Sequence, residues 1–167
     1  MVMQTFSGDG VRLQSGGIDI IFEPKEGAIP ARTKTNIFIK SKRPFETDEL
    51  KDIADRVIAG PGEYDVKGIE MWGSPDWSYL LRAENIYIGF LGSEEGNELI
   101  AKAEVIFLKN KAKMAAFSKQ FEAKVIIVLD DKADQVEKEL GLKAESLEKI
   151  TLKKKDLASE VKLYILK

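Results

Sequence analysis

Short apolar runs separated by glycine are the feature that most constrains the fold of this chain. Residues 3–7, 11–15 and 18–22 are rich in β-branched and aromatic side chains, and they are separated by a Gly-Asp-Gly segment and by Gly16-Gly17. Runs of this length and composition predict β-strands, and a Gly-Gly pair predicts a two-residue hairpin turn. We therefore expect the amino-terminal part of the chain to form an antiparallel meander.

The remainder of the sequence alternates strand-like and helix-like segments without a linker, a repeat or a low-complexity stretch. The alternation within residues 86–140 favours parallel strands covered by helices, and the earlier hairpins favour antiparallel pairing. Two mixed sheets packed together in one domain, residues 1–167, would accommodate both. Strands are predicted at 36–40, 64–66, 68–72, 78–83, 86–91, 105–108, 125–129, 148–153 and 161–166, and helices at 47–59, 94–102, 111–121 and from Asp130 or Asp131 to Leu140.

The chain contains no histidine and no cysteine among its 167 residues. Neither a Ser-His-Asp nor a Cys-His nucleophile can be built without an imidazole or a thiol. An ordinary zinc site is excluded too, because zinc is bound in proteins mainly by His and Cys, with carboxylates in support. A metal ion held by these side chains would have to be a hard ion on carboxylates.

The net charge and the hydropathy of the chain limit the classes of partner and the cellular location that we expect. The formal net charge of −2 argues against a dedicated nucleic-acid binder, which is usually basic. No apolar run approaches the roughly 20 residues that a membrane span needs. The first residues lack the charged and apolar regions of a signal peptide, so we expect a cytoplasmic protein with no membrane partner.

One segment is similar to a known family. Residues 60–69 read Gly-Pro-Gly-Glu-Tyr-Asp-Val-Lys-Gly-Ile and follow Val57-Ile-Ala. They resemble the GPGEYEVKGI segment of small metallo-β-lactamase superfamily proteins near the ascorbate-phosphate lactonases, with Asp65 in place of Glu. The strand-like segments that begin at residues 11, 37, 86, 125 and 150 resemble that family's opening hairpin, central strands and terminal hairpin.

The resemblance implies a fold and an active-site location. The expected fold class is a shortened α/β (α+β) protein, an αββα sandwich of two mixed β-sheets flanked by helices. In the family an HxHxDH loop and later His, Asp and His residues bind one or two metal ions at one edge of the sheets, and these ions activate a water molecule. By resemblance, the metal loop falls at Lys42, Pro44, Glu46 and Thr47, and the later ligand positions fall at Phe90, Ser93 and Asp130.

Few of these residues can bind a metal ion. Only Glu46 and Asp130 have suitable oxygen atoms, whereas Lys42 would repel a cation. Phe90 would make the former pocket less polar. The expected cofactor is therefore none, and the scaffold is expected to have lost the family's zinc chemistry, since a fold does not imply a function.

Acidic side chains offer two weaker alternatives. The cluster of Glu46, Asp48, Glu49 and Asp52 suits either the start of a helix or a metal site. Glu23, Asp130 and Asp131 could join that cluster in the fold and bind Mg²⁺ or Ca²⁺.

Glu63 and Asp65 alternate along a strand, as a pair of acid–base carboxylates would, or Glu63 bonds backbone groups in the turn. Trp72 and Trp77 bracket a turn, where they can contact a ligand or a partner or else pack in the core.

The sequence thus predicts a pseudoenzyme that binds a ligand or serves as an oligomerising module, as a homo-oligomer or with an unidentified protein partner. The alternative is a hydrolase, phosphodiesterase- or lactonase-like, that uses a carboxylate-held Mg²⁺ or Mn²⁺ ion around Glu23, Glu46 and Asp130.

Overall fold

The computed structural model describes residues 1–23, 29–41, 50–92, 98–108, 121–129, 134–157 and 160–167, which form a six-stranded and an eight-stranded sheet. The strands are β1 (Val2–Phe6), β2 (Gly10–Ser15), β3 (Ile18–Phe22), β4 (Thr35–Ile39), β5 (Ala54–Ile58), β6 (Gly62–Val66), β7 (Ile69–Gly73), β8 (Tyr79–Ala83), β9 (Ile86–Phe90), β10 (Val105–Leu108), β11 (Val125–Val128), β12 (Ala144–Leu147), β13 (Lys149–Thr151) and β14 (Lys162–Leu166).

The first sheet has the strand order β13-β1-β2-β3-β4-β5. The predicted meander β1-β2-β3 is confirmed as antiparallel, and Ser15 pairs with Ile18 across the turn. Gly16 and Gly17 have φ values of +56° and +81°, a left-handed conformation that glycine adopts without steric cost. β3, β4 and β5 then pair in parallel, so this sheet is mixed.

The second sheet has the order β12-β14-β11-β10-β9-β8-β7-β6. Strands β6 to β9 form an antiparallel meander, and β9, β10, β11, β14 and β12 pair in parallel. The strands predicted at 78–83 and 86–91 are confirmed, and they form a hairpin around Glu84 and Asn85 in which β8 and β9 pair antiparallel. The four-residue runs β10 and β11 are buried at every position, as expected for central parallel strands.

The main core lies between the two sheets. Leu13 and Ile20 from the first sheet and Leu81 and Ile88 from the second belong to one buried cluster, and each is 0% exposed. Two smaller clusters cover the outer faces, one on each sheet. Two mixed sheets with few helices in the described residues therefore confirm the expected sandwich.

Helices occupy less of the described chain than predicted. α1 (Asp134–Leu140) buries Val136 and is followed by Gly141, which has a φ of +66°. The Leu142 N–H donates to the Glu137 carbonyl at 3.2 Å, so the helix ends in a Schellman cap. In the predicted helix 94–102, the described part ends in a 3₁₀ turn, Ile100–Lys102. Residues 111–120 and the capping positions Asp130 and Asp131 lie outside the described residues. None of the helices in the described ranges has the length and apolarity that crossing a bilayer requires.

The helix predicted at 47–59 is wrong over its second half, because residues 54–58 form β5. Ala54 and Val57 pack with Leu50 on the outer face of the first sheet, so the apolar spacing is real but the backbone is extended. β5 pairs in parallel with β4, and this tertiary pairing overrides the local helical pattern. The part of the prediction over residues 47–49 lies outside the described residues.

The carboxyl-terminal strands also differ from expectation. β13 and β14 do not form a hairpin, because β13 pairs with β1 in the first sheet and β14 pairs with β11 in the second. The chain thus crosses between the sheets near its end. Strand β12, which sequence inspection missed, has exposed Glu145 and Ser146 at its centre and is held by its pairing with β14.

A carboxylate in the β8–β9 turn ties the two sheets together at one end. Glu84 accepts hydrogen bonds from the Ser15 hydroxyl at 2.8 Å and from the Met1 ammonium at 3.0 Å. That ammonium also donates to the Leu152 carbonyl at 2.8 Å. The hydrogen bond from the Met1 ammonium lowers the pKa of Glu84 below its usual range.

Because that pKa is lower in the folded protein than in the unfolded chain, Glu84 should stabilise the fold above the unfolded pKa and stop doing so as the pH falls through the folded value. We expect Glu84→Gln to lower the free energy of unfolding at pH 7 by up to about 1 kcal/mol, since the side chain is 40% exposed. Urea unfolding at pH 7 and pH 3 should show the difference from wild type shrinking in acid. A control, Glu63→Gln on the exposed edge strand β6, should leave the free energy of unfolding at pH 7 nearly unchanged; a loss equal to that of Glu84→Gln would contradict the assignment.

Candidate functional site

The carboxyl ends of parallel strands from both sheets meet at one edge of the sandwich, which we call the edge site. It encloses a cavity of about 60 Å³. β3 contributes Phe22 and the following Glu23, and β4 is followed by Lys40 and Ser41. From the second sheet come Phe90 at the end of β9 and Leu129 after β11. This convergence, which follows from the parallel pairing in each sheet, is where ligand sites form in sheets of this kind.

Three phenylalanine rings form a stack across the edge site. Phe22 from the first sheet lies against Phe90 from the second, with 15° between the ring planes. Phe107 from β10 stacks on Phe90 at 4.6 Å between ring centroids and 9° between planes. Phe90 therefore has aromatic contacts with both sheets, and the apolar core extends to the cavity.

Glu23 is the buried carboxylate of the edge site. Its side chain is 4% exposed, and Oε2 accepts hydrogen bonds from the Ser41 backbone N–H at 2.8 Å and the Ser41 hydroxyl at 3.0 Å. The Glu23 backbone N–H donates to the Ile39 carbonyl at 2.9 Å, so the carboxylate is fixed where β3 and β4 end. Within the described chain, Oε1 is the one buried side-chain polar atom without a hydrogen-bond partner.

Two further charged residues line the same cavity. Lys40 is 5% exposed at the end of β4, and Asp9 comes from the β1–β2 turn. Both have interactions of their own. Asp9, Glu23 and Lys40 together carry a formal charge of −1. The cavity is thus apolar in its walls and slightly acidic.

Trp77 is held in a strained backbone conformation beside the cavity. Its φ of +63° is rare for a bulky side chain. The Ser78 hydroxyl donates to Asp76 Oδ2 at 2.8 Å and accepts the Gly92 N–H at 2.9 Å, which ties this loop to the segment after β9. A Cβ at Gly92 would lie 2.1 Å from the Asp76 carbonyl oxygen, so only glycine permits the approach. Strain of this kind is found at binding sites where neighbouring contacts hold it in place.

Tyr79 connects the cavity to the glycine-rich segment. Its hydroxyl accepts the Gly60 N–H at 2.9 Å, and its ring lies edge-on to Phe22 at 6.4 Å. Burial raises the pKa of Tyr79 to about 12, so the phenol is neutral at physiological pH. Tyr79 thus serves as a buried hydrogen-bond acceptor and a wall of the cavity.

The Gly60-Pro61-Gly62 turn carries the chain from β5 in the first sheet to β6 in the second. Gly60 and Gly62 have φ values of +80° and +151°, and a Cβ at Gly73 would lie 2.2 Å from the Gly60 carbonyl oxygen. The glycines therefore permit the chain to pass closely from one sheet to the other after strand β5, whereas the sequence predicted a helix before this turn. The motif has a structural role at the crossing between the sheets, and the hydrogen bond from Gly60 to Tyr79 connects it to the cavity wall.

Comparison with solved structures identifies the architecture. A Thermotoga maritima protein assigned as a zinc-dependent hydrolase of the metallo-β-lactamase superfamily superposes with a TM-score of 0.79 at 18% identity, covering 99% of this chain and 98% of that one. The metallo hydrolase Igni18 from Ignicoccus hospitalis gives 0.62 at 10% identity, covering 91% and 99%. YhfI from Bacillus subtilis, a metallo-β-lactamase fold protein, gives 0.60 at 10% identity, covering 99% and 96%. This chain has the metallo-β-lactamase fold.

No family model matches the sequence, and no curated protein matches it either. At these identities the structural likeness establishes the fold, and the chemistry has to be argued from the side chains.

The predicted site positions can be followed only in part on the metallo-β-lactamase fold. Phe90 lines the edge cavity, and its assignment to a former metal-ligand position stays a prediction. The chain segments that end at Ser41, Gly92 and Leu129 all reach the cavity. The positions that follow them lie outside the described residues, namely Lys42, Pro44, Glu46, Thr47, Asp48, Glu49, Ser93, Asp130 and Asp131.

The two tryptophans are separated by the second sheet. Trp77 lines the cavity, whereas Trp72 packs on the outer face of the sheet, 6.4 Å from Tyr87 between ring centroids. Trp72 lies on β7 next to Met71, which faces the main core, and because side chains alternate along a strand Trp72 faces outward. The two rings therefore do not face a common ligand.

The remaining carboxylate candidates of the described chain are exposed and do not line the edge cavity. Glu63 and Asp65 lie on the edge strand β6, and Asp65 Oδ1 accepts the Gly68 N–H at 3.2 Å in the β6–β7 turn. Asp52 is an exposed residue of the turn before β5. Sequence inspection instead missed Phe22, Tyr79 and Ser41, whose only signal is that they stand at strand ends.

A zinc ion does not fit the donor atoms present. The sequence offers no imidazole or thiolate, and the described ranges contain no group of three or more Asp or Glu residues arranged to hold a metal ion. At Phe90 a phenyl ring without a lone pair occupies the position where the resemblance implied a histidine ligand. The buried Lys40 ammonium would oppose a cation in the same cavity.

Removal of the Tyr79 hydroxyl tests whether its hydrogen bond with Gly60 stabilises the edge site. Tyr79→Phe removes the acceptor of the buried Gly60 N–H, so we expect a loss of about 1–2 kcal/mol in the free energy of unfolding, measured in urea. Tyr87→Phe is the matched control, because that ring lies on the outer face of the second sheet; it should change stability by less than about 0.5 kcal/mol. Equal losses in the two variants would rule out a special role for the Tyr79–Gly60 bond.

Proposed function

We propose that this chain is a cytoplasmic, non-catalytic protein of metallo-β-lactamase fold that binds a ligand at the edge site. The observation that carries the proposal is the stack of Phe22, Phe90 and Phe107, which lies at the strand ends where the resemblance implies a metal centre. An apolar stack excludes water from the place where a metal-activated water would have to form. Loss of the chemistry and retention of a cavity together favour binding.

The printed descriptions of the structural neighbours point the other way, towards hydrolysis. The Thermotoga maritima protein is called zinc-dependent, and Igni18 is called a metallo hydrolase. Transfer of that activity to this chain would require a donor set that lowers the pKa of a bound water. The absence of every imidazole from the sequence argues against such a transfer.

Binding of a ligand is favoured over self-association as the principal role. In the described ranges, Val161 is the one exposed large hydrophobic residue, at 40% exposure. Obligate dimers bury large apolar surfaces, and this part of the chain offers none of that kind. The edge cavity, in contrast, combines apolar walls with a few polar groups, as ligand sites do.

Metal analysis combined with activity assays tests the proposal. Protein purified without a chelator should contain well under one zinc per chain and should hydrolyse neither phosphodiesters nor lactones above the uncatalysed rate. Stoichiometric, tightly bound zinc together with hydrolysis that a chelator abolishes would overturn it.

The second candidate is a Mg²⁺- or Mn²⁺-dependent hydrolase, which the unpaired Glu23 Oε1 favours. It predicts Mn²⁺-dependent hydrolysis that is lost in Glu23→Gln and retained in Glu63→Gln. Failure of Mg²⁺ and Mn²⁺ to produce activity in the wild type would eliminate it.

A further inference from the structure

The walls of the edge cavity are mainly hydrocarbon. They include the rings of Phe22, Phe90 and Phe107 and the aliphatic side chains of Val11, Ile39 and Leu129. These six side chains belong to the main core between the sheets or pack against it. A water molecule needs about two to four polar partners in a buried site, and walls of this kind favour an apolar group instead.

The polar groups beside these walls are engaged with the protein itself. Glu23 Oε2 accepts both Ser41 donors, and Oε1 has almost no accessible surface from which to contact a ligand. The Tyr79 hydroxyl accepts the Gly60 N–H at 2.9 Å. A ligand group that brings its own hydrogen-bonding atoms into the cavity therefore loses hydration and gains few new bonds.

A charged group is disfavoured in the cavity whatever its sign. The buried Lys40 opposes a cation, and Asp9 and Glu23 oppose an anion. Asp9 and Lys40 each have interactions of their own, so neither requires a ligand as its counter-ion. Removal of an ion from water against aromatic and aliphatic walls adds a further cost. The group that fits best is therefore neutral as well as apolar.

The cavity is preformed and small. The stack on Phe90 fixes one wall, and the bond between Gly92 and the Ser78 hydroxyl holds the loop that carries Trp77. An apolar cavity of about 150 Å³ accepts the six carbons of benzene, so a volume of about 60 Å³ accepts two or three carbon atoms. A preformed cavity gains affinity because little ordering is needed on binding.

We propose that the edge cavity binds the short aliphatic end of a neutral organic molecule, two or three carbon atoms long, with the rest of that molecule outside the cavity. The proposal rests on the proposed function, because an aliphatic group here would occupy the space that a metal-activated water needs. It names the ligand class by size, charge and polarity.

A homologous series of primary alcohols from methanol to n-hexanol tests the size. Methyl NMR would follow Ile39 and Leu129 at the cavity, with Ile126 on the outer face of the second sheet as the internal control. We expect saturable shifts at the cavity alone, with affinity rising about three- to fivefold per carbon up to n-propanol and less than about twofold per carbon beyond it. An unbroken rise to n-hexanol, equal shifts at Ile126, or no saturation by n-propanol below about 100 mM would overturn the proposal.

Ions of the same chain length test the neutrality. Propylammonium and propionate carry the three-carbon chain of n-propanol with a positive or a negative charge. We expect each ion to bind at least about tenfold more weakly than n-propanol, because its charge would lie next to apolar walls. Binding of either ion as tight as that of the alcohol would refute a neutral ligand.

Substitutions at Leu129 test the place of binding. Leu129→Phe fills the cavity and should abolish the saturable shift at Ile39, whereas Leu142→Phe makes the same change on the outer face of the second sheet and should bind as the wild type does. If Leu129→Phe proves unfolded by urea titration, Leu129→Ala provides the second test. It enlarges the cavity, so the break in the alcohol series should move beyond n-propanol, and an unmoved break would overturn the proposal.

The outcomes separate this proposal from the proposed function. Failure of every alcohol to bind at the cavity of a zinc-free, inactive protein overturns the ligand assignment alone. Stoichiometric zinc with chelator-sensitive hydrolysis overturns the proposed function itself.

Discussion

Burial of the inner faces of two mixed sheets against each other is the constraint on which the rest of this structure depends. Leu13 and Ile20 in one sheet meet Leu81 and Ile88 in the other, and all four are completely buried. Both sheets change from antiparallel to parallel pairing along their width. That change brings the carboxyl ends of several strands to one edge, and it creates the edge site as a consequence of the packing.

The edge of the sandwich is where this chain departs from what its fold suggests. A catalytic zinc site needs imidazole groups, an open coordination position and water. Phe22 and Phe90 supply rings that pack on each other across the sheets, so hydrophobic burial continues as far as this edge. These rings contribute apolar contacts between the sheets, so changes at the edge site also affect the stability of the fold.

Local patterns were sufficient to predict much of the fold. The β1–β3 meander, the Gly16-Gly17 turn and the fully apolar strands β10 and β11 follow from composition and spacing. β5 could not be predicted in that way, because Ile53, Ala54 and Val57 have helical spacing and only the pairing with β4 makes the segment extended. β12 carries almost no strand signal of its own, so its existence depends on β14.

The residues that line the candidate site were visible in the sequence at few positions. The resemblance drew attention to Phe90, whose role stays a prediction, whereas Ser41 and Tyr79 matter through hydrogen bonds to residues far away in sequence. Trp72 and Trp77 are close in sequence, yet strand alternation places them on different faces of a sheet. Contacts between distant segments are set by register and topology, which periodicity alone does not contain.

Glu23 shows how a charge can be retained in an otherwise apolar site. Burial of a carboxylate with one oxygen unpaired opposes folding, and the two hydrogen bonds from Ser41 to the other oxygen offset part of that cost. The Trp77 backbone conformation adds a second local cost, and the Ser78–Gly92 bond holds it beside the same cavity. Two unfavourable features lie beside one cavity, whereas the other positive φ values of non-glycine residues in the described chain, such as those of Lys67 and Asn85, belong to turns. Their coincidence at the strand ends favours the edge site, rather than the glycine-rich turn or the exposed β6 carboxylates, as the part of the chain to test for function.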